Sequence, residues 1–446
     1  MQPKQIKLQT FGWLMIVMAA LAACAQTAAA AWSGDWYVAT NGTGQGTNGW
    51  ADATNDLQGA INGCAIGKTV LVSNGVYQTG GTLVALSMTN RVYISKAITV
   101  RSIDNNPATT IIKGAWHPVT TNGTAAIRCV YMAAGATLSG FTLTNGATIA
   151  GSYGGGVYSE AATATISNCV ITGCSAANDG GGAYGGTLNN CTIIFNVAFR
   201  WGGGIRGGAA FNSTIISNTA PVGGGGYECN MYNCTISYNI GNKPTSNEQN
   251  PGGVYGGTSS NCVISYNRGT SWGGGGASVT LYNCLIYGNE ASDGGGVYYS
   301  TLYNCTVVGN YASHFGGGVA NWGPSINIIN SIIYSNQAAS YPNWAGAGGG
   351  SSLSFTDSCT FPTNIVWSAG NTTNYPFFMA NGSGYGLTHV PGNYRLQASS
   401  PCLNKGLNQN WMTNAVDLDG RTRIRYGTAD MGAYEVLYRG TFYGVR

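Results

Sequence analysis

In the middle of the chain, short segments such as Cys191-Thr192-Ile193-Ile194 alternate small or β-branched side chains between two faces, then stop at an Asn or a Gly run. That period of two predicts brief strands with one face buried. The segments recur. Asn-Cys stands at Asn168-Cys169, Asn190-Cys191, Asn233-Cys234, Asn261-Cys262, Asn283-Cys284 and Asn304-Cys305, with Asn212-Ser213 and Asn330-Ser331 in two further slots. Successive spacings are 22, 22, 21, 28, 22, 21 and 26 residues. Five residues after the Cys or Ser comes a second Asn, at 196, 218, 239, 267, 289, 310 and 336, with Cys174 the exception. A Gly run follows, as at 180–182, 202–204, 294–296 and 316–318.

Units this short cannot bury a face alone and must stack, so the repeat predicts a parallel β-solenoid. Coils about 4.8 Å apart would bring like residues into columns. An Asn column can then hydrogen-bond to the coils above and below. A Gly column suits a corner that needs positive φ and close backbone approach. The Cys column falls on an inward position, where a free thiol acts as a small hydrophobe. Disulfides are the alternative; zinc is disfavoured, because no His accompanies the cysteines and no Cys-x-x-Cys spacing occurs.

These repeats resemble the right-handed parallel β-helix proteins of the pectate-lyase-like superfamily, and the Gly run with Asn-Cys-x-Ile-x-x-Asn is similar to repeats of polymorphic outer-membrane proteins. The segments 36–50, 57–61, 68–77, 96–104 and 136–146 look like the irregular opening coils of such a helix. Residues 394–406, 417–423 and 429–435 are similar to a terminal module of the choice-of-anchor type on exported β-helix proteins. The resemblance implies an all-β right-handed parallel β-helix with a C-terminal capping module. It also implies an acid where this chain has Asn404, and a further anchor after Glu435.

The organisation expected is a signal peptide over 1–31, entry coils over 32–150, regular coils over 151–345, and final coils with the module over 346–446. Lys4 and Lys7 precede an apolar run from Phe11 to Ala23, of signal-peptide rather than membrane-span length. Leu21-Ala22-Ala23-Cys24 resembles a bacterial lipobox, with Cys24 as the lipidated residue; cleavage within Ala28 to Ala31 is the alternative. Outer-membrane or cell-surface tethering follows from the first reading and secretion from the second.

Composition narrows the function. The 446 residues are 44% hydrophobic and only 8% charged, with 70 Gly and a formal charge of +4. Disorder, helical architecture and nucleic-acid binding are all disfavoured. A monomer that contacts polysaccharide or another surface component is expected.

The resemblance implies that a catalytic member would gather carboxylates holding Ca²⁺ beside an Arg or Lys that removes a proton, and calcium needs about six to eight oxygens. The nearest approach is Asp179, Arg200, Arg206 and Glu228, on consecutive coils. His117, His314 and His389 show no triad or metal spacing. Alignment on the Cys slot places Asp179, Trp201, Val222, Trp272, Asp293 and Phe315 at one corner, and Tyr158, Tyr184, Tyr255 and Tyr298 just beyond the Gly run. Rings on a rigid face can stack on sugars; equally, solenoids stack like residues for their own stability. The insertion 240–251 should overhang this side. Asp417, Asp419, Asp430 and Glu435 are candidate Ca²⁺ ligands, or parts of turns in a cap. A glycan-binding surface protein leads; a polysaccharide lyase or glycoside hydrolase and an adhesin-like spacer are the alternatives.

Overall fold

The computed structural model describes residues 34–84, 88–243, 249–347, 352–361 and 370–436. The signal segment, Cys24 and Glu248 lie outside the described residues. Strands form sheets of 13, 12, 12 and 8 strands, paired in parallel with the next coil except where Thr82–Val84 meets Met88–Ile94 antiparallel at the start of the third. The protein is a right-handed parallel β-helix. One coil runs through Thr187–Asn189 in the first sheet, Thr192–Ile194 in the second, Val197–Ala198 in the fourth and Ile205–Arg206 in the third.

Alternation sets the interior. In the second sheet Ile171, Ile193, Ile215, Ile236, Ile264 and Ile286 lie in register and are fully buried. Each such side chain contributes roughly 1.5–3 kcal/mol by leaving water. At the near end, the helix Leu57–Gly63 packs Leu57, Ala60 and Ile61 into the core, and Asp56 caps it by accepting from the Gly59 N–H. That helix covers a sheet end that would otherwise stay open.

The corners account for the repeat signature. The Asn of each Asn-Cys or Asn-Ser pair, from Asn168 to Asn330, has φ between 50 and 54°. Asn tolerates this left-handed geometry better than other side chains, which gives a sharp turn between the first and second sheets. The following Asn column is buried. Asn218 donates through its backbone N–H and its Nδ2 to Asn239 Oδ1, both at 3.0 Å, and through Nδ2 to the Ile193 carbonyl at 2.9 Å. In the Gly runs two constraints alternate. Gly202 has φ of +65°, whereas a Cβ on Gly204 would lie 2.5 Å from the Gly225 carbonyl oxygen of the next coil.

Among the described residues all twelve cysteines are free and buried. Burial pushes the Cys191 thiol up to about 11. Ser213 fills a Cys slot because its hydroxyl accepts from the Cys191 N–H (3.0 Å) and donates to the Phe211 carbonyl (2.8 Å).

The C-terminal module only partly caps the helix. Thr372 pairs with Cys359 on the last strand of the second sheet. Most of the module lies along the side of the preceding coils, where Leu285, Val308 and Ile332 join Phe378, Tyr394, Leu403 and Met431 in a second hydrophobic core.

Candidate functional site

The corner expected from the Cys alignment exists. Trp201 bridges Val222, Trp272 bridges Asp293, and Asp293 pairs with Phe315. Just beyond it, on the outer face of the third sheet, Tyr131, Tyr158, Tyr184, Arg206, Tyr227 and Tyr255 occupy successive rungs. Tyr131 and Tyr227 were missed in the sequence. Tyr227 directly follows a run of four glycines, one position nearer its run than the Tyr of the three-glycine coils, and Tyr131 lies before the regular repeat begins.

Asp179, Arg200, Arg206 and Glu228 do converge, around Trp201. Arg200 places its guanidinium 3.5 Å from the Trp201 ring centroid, and Trp201 stacks on Tyr227 at 4.7 Å. Arg206 lies 5.0 Å from the Tyr227 centroid and ion-pairs with Glu228 at 3.0 Å. Asp179 is 4% exposed, and its Oδ1 has no hydrogen-bond partner among the described residues. Burial pushes its carboxyl above the ordinary value, against the opposing pull of Arg200 and Arg206. The cluster therefore joins a buried carboxyl of raised pKa to two guanidiniums, one exposed and one paired.

The aromatic positions are corrected in part. Tyr298 is 4% exposed beneath Trp272, which stacks on it at 4.9 Å, so it offers no face to a ligand. Trp201 already has Tyr227 and Arg200 as ring partners. Tyr158 and Tyr184 stack on each other at 5.2 Å and stay half-buried. Phe315 is exposed and stands edge-on to Trp322 at 5.6 Å, on coils well beyond Trp201. The self-stacked column thus accounts for much of what resembled a sugar platform. Arg128 strengthens it: buried, with donors on the Tyr153 and Gly154 carbonyls and Asn90 Oδ1, it packs 5.3 Å from the Tyr158 centroid. Burial brings its guanidinium down to about 10.

The C-terminal carboxylates do not fit a calcium cage. Asp417 accepts from the Asp419, Arg421 and Glu435 N–H groups, and Asp430 accepts from the Asn404 and Val436 N–H groups. Asp419 pairs with Arg395 and Arg421, and Glu435 pairs with the fully buried Arg423 at 3.0 Å. Their oxygens brace the module's turns. Asn404, where the resemblance implies an acid, supplies one of these backbone donors. Among the described residues no group of three His, Cys, Asp or Glu is placed to hold a metal ion. The histidines stay apart. His389 sits in the docking seam with Nε2 2.6 Å from the Tyr394 hydroxyl, His117 contacts Thr120 Oγ1 at 2.9 Å, and His314 Nδ1 lies 4.0 Å from Asp293.

No protein-family model and no curated protein sequence matches the chain. Among solved structures it is similar to a pectate lyase, Pel9A, with 15% identity over 92% of this chain and 98% of that one, at a TM-score of 0.47. It is also similar to XylC in complex with xylose, with 11% identity over 91% and 99% of the two chains, at 0.46. A family 6 alginate lyase, AlyGC, shows 12% identity over 84% of this chain and 58% of that one, at 0.38.

Proposed function

We propose that this protein is an exported surface protein, tethered through Cys24, that binds acidic polysaccharide along the outer face of its third sheet. The observation that carries the reading is the convergence of Arg200, Arg206 and Asp179 on the Trp201 rung. Arg206 is paired with Glu228, and the exposed Arg200 guanidinium presents positive charge that suits a sugar carboxylate. Half-buried tyrosines on either side extend the face along the axis, the direction a polymer would follow.

Eliminative cleavage of the same glycan is the second reading, favoured by Asp179. Burial raises its pKa, the direction that a carboxyl donating to a leaving sugar oxygen requires. Elimination also needs a base for the carbon-bound proton. Arg206 is tied to Glu228 and Arg200 lies over the Trp201 ring, so each guanidinium already has a partner. Binding is the better-supported activity.

Titration calorimetry of the full chain with polygalacturonate and alginate oligomers tests this. Arg200→Ala with Arg206→Ala should weaken binding at least about tenfold, since each charge-assisted contact contributes about 1.5–3 kcal/mol. Affinity should rise as pH falls through the raised Asp179 pKa, so long as the glycan stays ionised. Wild-type protein that binds neither polymer defeats the proposal. Unsaturated sugar ends accumulating in the same mixtures would make the second reading the right one.

A further inference from the structure

A different face carries an independent site. On the outside of the first sheet one column runs Phe211, Tyr232, Ser260, Tyr282, Tyr303 in continuous register. Phe211 stacks on Tyr232 at 4.9 Å and 10°, and Tyr282 on Tyr303 at 4.7 Å and 8°. Ser260 interrupts the stack by one rung. At about 4.8 Å per coil, the Tyr232 and Tyr282 rings stand about 9.6 Å apart, facing each other across a slot above the serine.

The C-terminal module closes the side of that slot. Trp411, its ring held by an Nε1–H donated to Gln409 Oε1 (2.7 Å), stands edge-on to Tyr282 at 5.0 Å. With Val416 beyond it, the groove encloses about 490 Å³. Among the described residues no charged side chain lines it. Asn283, at the corner beside the slot, is buried and holds its wall in place by donating through Nδ2 to Asn261 Oδ1 (3.1 Å) and to the Val416 carbonyl (2.9 Å).

We infer that this groove binds a neutral pyranose ring, stacked between Tyr232 and Tyr282 with its hydroxyls toward the Thr258, Ser260 and Asn261 side chains that line the slot. A pyranose offers an apolar face to each ring and hydroxyls at its edge, which suits a slot with aromatic ends and a polar lining. The uncharged lining excludes the carboxylated sugars proposed for the third sheet.

The test is titration calorimetry of the full chain with cellohexaose, xylohexaose and mannohexaose. At least one should bind, and Ser260→Tyr should weaken that binding at least about tenfold. The added ring continues an existing ladder, so the variant's melting temperature should be unchanged or higher. Trp411→Ala should weaken the same binding by opening the wall. Arg200→Ala with Arg206→Ala should leave it intact, which separates this site from the acidic face. Absence of binding by all three hexaoses, or full binding by Ser260→Tyr, overturns the inference.

Discussion

Asn267 commits its amide in both directions along the axis. Its Nδ2 donates back to the Ile236 carbonyl and forward to Asn289 Oδ1, while its own Oδ1 accepts the Asn239 N–H and Nδ2. Asn267→Ala strands buried groups on two neighbouring coils, and each such group costs about 1–3 kcal/mol. Urea denaturation should show a loss of about 3 kcal/mol or more, whereas Thr235→Ala on the exposed face stays within about 0.5 kcal/mol. This column was legible in the sequence because a buried polar ladder tolerates no other spacing. Its twin was only half legible. The Asn of Asn-Cys recurs just as regularly, but it works through its positive φ, and composition does not separate the two roles. Phe195, Tyr238 and Tyr266, also at φ of 55 to 57°, were not readable at all, because bulky residues rarely adopt that conformation.

At the scale of elements, the second sheet carries a signal that the repeat obscured. Leu285 and Ile332 take the outward slot that Thr192, Thr214 and Thr235 hold on earlier coils. Strands buried on both faces lose their alternation, and here the module covers the outer one. Its seam is also electrostatic. Asp417, Asp430 and Glu435 gather around buried Arg423, so their burial outweighs the single guanidinium and Glu435 is pushed up to about 8 from an ordinary 4.5. A carboxyl whose folded value is raised contributes stability that is complete below the unfolded value of 4.5 and is lost as pH rises through about 8. The module's thermal transition should therefore fall between those limits, and Glu435→Gln should flatten the dependence. An unchanged slope in the variant would place the titration elsewhere. The sequence showed these acids but not their partners, because Arg423 meets them only after the chain folds back.

For the whole molecule, scarce charge and abundant glycine follow from one property: each coil answers mainly to its two neighbours. A full repeat should then be removable. Excision of residues 190–211 joins Asn189 to Asn212, and the register Thr187 with Ala209 and Thr192 with Thr214 shows that the strands would realign. The Asn, Cys and Gly columns stay continuous, and the core loses one layer. Circular dichroism should report the same β content per residue, with melting lowered by no more than a few degrees. Removing one residue fewer would put a strand out of step and turn its apolar face to water, so that variant should aggregate. The in-register excision also deletes Arg200, Trp201 and Arg206 together. Acidic-glycan binding should vanish, while neutral hexaose binding on the first sheet, whose slot lies beyond the excised coil at Ser260, persists. Loss of both activities from a folded variant would mean that the two faces are coupled along the axis and would contradict a molecule built from nearest-neighbour layers.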